Sequence, residues 1–142
     1  HDSVGSLGYR ISLPDGQELG FATDLGCYTE AVEEGLRGCR TVMLESNYDD
    51  GMILVSDYPY YLKRRIQSRS GHLSNSDCAA ALPALAQNGT RNFVLGHLSQ
   101  NNNLGLLAQQ ASEQALLQAG LEREDFTLQI ANRSQLSQPV LL

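Results

Sequence analysis

Short apolar runs that break off into polar, glycine-bearing stretches recur along this chain. Gly8–Leu13 and Glu18–Thr23 read as strands on either side of the turn signal Pro14-Asp15-Gly16-Gln17, which predicts a hairpin. Arg40–Leu44 and Phe93-Val94-Leu95 suit buried strands of a parallel sheet. Each ends in polar residues, Glu45-Ser46-Asn47 after the first and Gly96-His97 with a loop reaching Asn103 after the second. Phe126–Ala131 alternates as a last regular strand, and Gln138–Leu142 reads as an edge strand or a tail.

Helical spacing fills the intervals. Thr29–Leu36 is a short helix capped by Thr29, with Glu30 and Glu33 near its positive end and Arg37-Gly38 at its stop. Tyr48–Gly51 makes a loop. A helix begins in Tyr58–Ile66, with Pro59 tolerated in its first turn. Another runs from Ser74 or Ser76 to Gln87, has an alanine-rich face for close packing, and contains Pro83, which should kink it. Leu104–Ala119 is the longest, with Leu104, Leu107, Ala108, Ala111, Ala115 and Leu116 as one apolar stripe. Two strands followed by α, β, α, α, β, α, β predict one layered α/β unit.

Composition fits such a unit: 142 residues, 42% hydrophobic and 18% charged, describe a globular chain with a real core. No apolar run approaches the roughly 20 residues that span a bilayer, and no leader is evident at residue 1, so no membrane partner is expected. Cys27, Cys39 and Cys78 are odd in number and lack CxxC spacing; free thiols in a reducing, cytoplasmic setting are the expectation. The net charge of −6 does not advertise nucleic-acid binding over the whole surface. Lys63, Arg64, Arg65 and Arg69 nevertheless gather within one short stretch, either as a solvated helix face or as a local cationic patch.

Ligands and catalytic groups of α/β sheets gather at the carboxyl ends of the strands. His97 stands there, Asp24 follows the second hairpin strand before Leu25-Gly26, and Glu45 ends a third strand. His1 precedes the first strand, and His72 lies in the polar stretch GHLSN. Asp24 could equally cap the helix that follows. Imidazole and carboxylate ligands projecting from successive strand ends suit Zn²⁺, Mn²⁺ or Fe²⁺.

The stretches HDSVGSLGYRI, ATDLG, LESNYDDGMI, YPYYLKRRIQSRSGHLSN and VLGHLSQNN together resemble the YycJ (VicX, WalJ) type of metallo-β-lactamase-fold hydrolase. They are similar, more distantly, to the ribonuclease Z branch. The resemblance implies part of a four-layer αββα sandwich, mainly its second half, and a site for two divalent ions, Zn or Mn. It implies His1, Asp24 and His97 as metal ligands, Asp24 bridging. It implies His72 as proton donor to the leaving oxygen, with Glu45 orienting it, and Lys63, Arg64, Arg65 and Arg69 holding phosphates. Tyr48 stands where relatives often carry histidine. The HxHxDH motif of the superfamily is absent from this sequence, so residues 1–142 are read as the carboxyl-terminal portion of such a domain. The implied activity of the whole protein is that of a metal-dependent phosphodiesterase, a DNA exonuclease with DNA favoured over RNA. A small-ester or thioester hydrolase, or an inactive fragment that only binds a partner, are the alternatives. The portion alone is expected to be inactive, to bind metal weakly and to expose apolar sheet surface.

Overall fold

The computed structural model describes residues 6–140. Strands β1 (Tyr9–Ser12) and β2 (Glu18–Ala22) form the hairpin, and α1 (Glu30–Leu36) leads to β3 (Thr41–Glu45). Helices α2 (Asp50–Val55), α3 (Tyr60–Ile66) and α4 (Asn75–Gln87) precede β4 (Asn92–Gly96). Helix α5 (Gly105–Gln118) and β5 (Thr127–Ile130) complete the order. The five strands lie in one sheet, β1-β2-β3-β4-β5, with β1 antiparallel to β2 and every later pair parallel.

This order places the helices. Each parallel connection advances one strand in the same direction, and right-handed crossovers then set all the connecting helices on one face. The register puts Gly20, Ala22, Val42, Leu44, Phe93 and Leu95 on a common face. There they form the core with Leu36 of α1, Cys78, Leu82 and Leu85 of α4, and Leu116 of α5. Burial of these aliphatic and aromatic groups, at roughly 25 cal/mol per Å² of apolar surface, is the main force holding the layers together. On the opposite face stand Tyr9, Ile11, Leu19, Phe21, Met43 and Val94. Tyr9 and Ile11 are exposed, so apolar sheet surface at the β1–β2 end faces solvent.

Several boundaries are set by local chemistry. Thr29 caps α1 through its hydroxyl, and Ser74 caps α4 by accepting from the Asp77 N–H. Pro83 sits inside α4 without ending it. Helix α2 was not expected from the sequence; Asp49 starts it by accepting from the Gly51 and Met52 N–H groups. The expected stripe of α5 is shifted: Ala108, Ser112 and Leu116 are buried, while Leu104 stands exposed at the position just before the helix. Residues 138–140 form no strand. Cys27, Cys39 and Cys78 are free.

Candidate metal centre

The carboxyl edge of β2, β3 and β4 collects the polar residues. Glu45 closes β3 and is completely buried. Its Oε1 lies 2.8 Å from His72 Nδ1 and 2.7 Å from His97 Nδ1. Its Oε2 accepts the Leu25 N–H at 2.5 Å and the Leu73 N–H at 3.4 Å. Asp24 Oδ1 stands 3.7 Å from His97 Nδ1 and 3.9 Å from His72 Nδ1. The four residues Asp24, Glu45, His72 and His97 each offer a ligand atom within 4.8 Å of all the others.

Their arrangement separates them by task. Both oxygens of Glu45 are taken by N–H donors, and no solvent reaches the residue. As acceptor of both Nδ1–H groups, the carboxylate fixes the orientation of the two rings. Burial pushes the Glu45 carboxyl upward, but the hydrogen bonds from His72, His97 and Leu25 together outweigh it and hold it below its usual range. His97 is raised, chiefly by its hydrogen bond to Glu45, against the opposing effect of burial.

Backbone shape and close approach fix these side chains. Asp24 and His97 adopt left-handed conformations with φ of 58° and 57°, uncommon for residues with a side chain and costing on the order of 1–3 kcal/mol each. The Asp24 loop interlocks with the segment before His72: a Cβ on Gly26 would strike the Arg69 carbonyl, and one on Gly71 the Ile66 carbonyl. The β3 exit ties down both histidine loops. The Asn47 N–H donates to the Leu73 carbonyl at 2.8 Å, and Asn47 Nδ2 donates to the His97 carbonyl at 2.7 Å.

Beneath lies a buried amide cluster that reading the sequence had not singled out. Asn103 Nδ2 donates to the carbonyls of Ser46 (2.8 Å) and Asn47 (3.0 Å), and Asn103 and Asn75 pair through their side-chain amides at 2.8 Å. Ser46 Oγ completes the cluster by donating to Asn75 Oδ1 at 2.7 Å. Asn103 thus joins the β3 exit, the start of α4 and the start of α5.

Of the expected site residues, Asp24, Glu45, His72 and His97 come together; His1 lies outside the described residues. Tyr48 is buried beside the start of α4, where Ser74 pairs with it, and burial pushes its phenol up to about 12. Arg65 lines a cleft of about 930 Å³ above the imidazoles; Lys63, Arg64 and Arg69 do not. Lys63 Nζ instead donates to the Leu54 carbonyl at 2.7 Å. Paired imidazoles with two carboxylates are donors that suit a divalent cation such as Zn²⁺ or Mn²⁺, so the residues present fit such an ion.

No protein-family model matches the chain. It is 32% identical over 120 residues to exodeoxyribonuclease YycJ of Bacillus anthracis, which covers 84% of this chain and 45% of that protein. It is 34% identical over 121 residues to exodeoxyribonuclease WalJ of Streptococcus pneumoniae serotype 2, covering 85% of this chain and again 45% of the relative. The chain therefore spans somewhat less than half the length of the relatives it matches. Among solved structures it is similar to Zn²⁺-bound PqqB from Methylobacterium extorquens, with a TM-score of 0.51 and 19% identity over 85% of this chain and 40% of that one. PqqB has the metallo-β-lactamase fold. The chain thus has a fold of the metallo-β-lactamase class, and in sequence it resembles the YycJ/WalJ type within that class.

Proposed function

We propose that this chain carries the carboxyl-terminal part of the active site of a metal-dependent phosphodiesterase, a DNA exonuclease when the rest of the domain is present. The observation that carries the reading is the buried Glu45 carboxylate holding two imidazoles by their Nδ1 atoms beside Asp24. The names of the relatives supply the substrate class, DNA.

Asp24 and His97 are the residues that would hold the metal, joined by His1. A pair of divalent ions supplies Lewis acidity and an activated water, the chemistry that phosphodiester hydrolysis needs at neutral pH. His72 does the proton work. Its Nδ1 is held by Glu45, which fixes the ring so that it can pass a proton to the departing oxygen. Glu45 therefore acts on the reaction through His72 and on the metal site through His97. A neighbouring arginine, Arg65, stands at the cleft wall to meet phosphate.

The test is an exonuclease assay on a protein that carries this chain together with the HxHxDH-bearing half expected upstream. Degradation of labelled DNA with Mn²⁺ or Zn²⁺, abolished by chelator, is the expected result. A metal-loaded protein that hydrolyses a thioester or small ester but leaves DNA intact would overturn the nuclease reading in favour of the small-substrate alternative.

A further inference from the structure

The cleft above the imidazole pair carries a charge asymmetry that the metal site does not use. It runs from α3 across His72 and His97 to the segment after β5. Among the described residues, none that lines it is Asp or Glu, in a chain where 16 acidic residues outnumber 10 Lys and Arg. The carboxylates close to the imidazoles, Asp24 and Glu45, belong to the metal cluster. Two arginines line the cleft, Arg65 on α3 and Arg133 beyond β5, and both are exposed. Between them the wall offers neutral donors, among them Tyr58 and Asn101, which share a 2.9 Å hydrogen bond, and Asn132.

We propose that Arg65 and Arg133 form a two-sided phosphate clamp that holds a nucleic-acid backbone across the His72–His97 pair, which makes Arg133 a substrate-binding residue. The inference rests on the phosphodiesterase reading and names how that site takes its substrate. One basic helix face would attract any anion. Two guanidinium forks in one cleft that both imidazoles also line, with no carboxylate among its described lining residues, instead suit an extended polyanion that passes over the reacting centre. Guanidinium forks match phosphate oxygens in pairs, and such contacts position a strand without reading its bases. The acidic remainder of the surface repels the strand and so favours the cleft. Of the basic cluster expected from the sequence, only Arg65 takes part, and its partner comes from a segment 68 positions later (133 − 65).

The experiment uses the 142-residue chain in EDTA, so that nothing is cleaved. Fluorescence anisotropy reads its binding to a mixed-sequence fluorescein-labelled single-stranded oligonucleotide across a salt series. Arg65→Gln and Arg133→Gln are each expected to weaken binding by roughly 3–10-fold at low salt and to lower the log–log salt slope by about 0.7, the loss of one phosphate contact. Arg64→Gln, and Arg123→Gln on the α5 side where Arg123 pairs with Glu113, are expected to stay within about twofold of the parent. Circular dichroism melts confirm that each variant is folded. An Arg133→Gln chain that binds like the parent, an equal loss in Arg64→Gln, or no binding by the parent would overturn the clamp. A parallel Zn²⁺ titration separates the two ideas. Zinc bound with no arginine dependence of oligonucleotide binding sinks the clamp alone; arginine-dependent binding together with no zinc uptake by the protein completed with its upstream half sinks the metallohydrolase reading and leaves the clamp standing.

Discussion

The two ends of strands β3 and β4 are built from similar materials and do opposite things. At the amino end, Asn92 Nδ2 donates to Thr41 Oγ1 at 3.0 Å, and Thr127 Oγ1 donates to Asn92 Oδ1 at 2.8 Å. Thr90 Oγ1 donates to the Cys39 carbonyl at 2.8 Å. These groups are neutral, they satisfy one another, and among the described residues neither of the left-handed side-chain-bearing positions lies there. At the carboxyl end the buried group is a carboxylate, its partners are two imidazoles, and Asp24 and His97 are both left-handed. A closed neutral network joins strands. A charged network on backbone held in costly conformations is what the proposed metal site requires.

Substitutions at the two ends should therefore fail differently, and the largest effect is expected at His72. In a protein completed by the upstream half, His72→Ala should keep its metal and lose turnover by roughly 10²–10⁴, as for removal of a general acid. Steady-state rates alongside metal analysis check this. Next comes Glu45→Ala, which leaves two Nδ1–H groups and the Leu25 and Leu73 N–H groups without their acceptor. It should cost about 3 kcal/mol in chemical denaturation and also weaken metal uptake, since orphaned buried donors cost roughly 1–3 kcal/mol each and partly recover other partners. The contrasting Asn92→Ala at the amino end should cost about 1–2 kcal/mol and leave metal uptake unchanged. If Asn92→Ala weakened metal uptake as much as Glu45→Ala, the distinction between the two ends would collapse.

Much of this was legible in the residue order because strand ends announce themselves. Asp24, Glu45 and His97 each follow an apolar run, and His72 sits in a polar stretch between helices; residue type and position drew attention to them, and the family resemblance supplied their roles. The hairpin, the Thr29 cap and the start of α4 near Ser74 follow from local chemistry as well. What local chemistry cannot show is the meeting of distant segments. The Asn103 contacts to Ser46 and Asn47 span 57 and 56 positions, and nothing near Asn103 marks it as the hub of a buried cluster. Arg133 enters the cleft only because β5 pairs with β4. Helix α2 was missed for another reason: Tyr48–Gly51 read as a loop, and the short apolar run after Gly51 gave too few residues to display a helical period. The shift in the α5 stripe shows burial depending on where a helix lies on the sheet, which put Ser112 inside and Leu104 out.

The smallest effect expected is one on pH rather than sequence, and it marks the core against the site. Burial pushes the Cys78 thiol from 9.0 up to about 12 and the Tyr28 phenol from 10.0 up to about 12. Both groups are raised in the folded chain, so the stability they contribute is complete below the unfolded values and disappears as pH rises toward 12. Denaturation midpoints should be flat through neutral pH and fall from about pH 9 upward. A Cys78→Ala chain should fall less steeply over that window.

The central claim is that Glu45 orients the imidazoles while Asp24 and His97 hold the ion and His72 does not. Zn²⁺ titration of the 142-residue chain and its Asp24→Asn, His97→Ala and His72→Ala variants, read by calorimetry against folded controls, tests it most directly. Uptake by the parent is expected to be weak, because about two protein ligands per ion remain where a catalytic zinc has about three. Asp24→Asn and His97→Ala should lower affinity by at least about tenfold, and His72→Ala should leave it within about threefold, the smaller loss being that of a neighbour rather than a ligand. Affinity lost in His72→Ala and kept in His97→Ala would contradict the account by exchanging the roles of the two histidines.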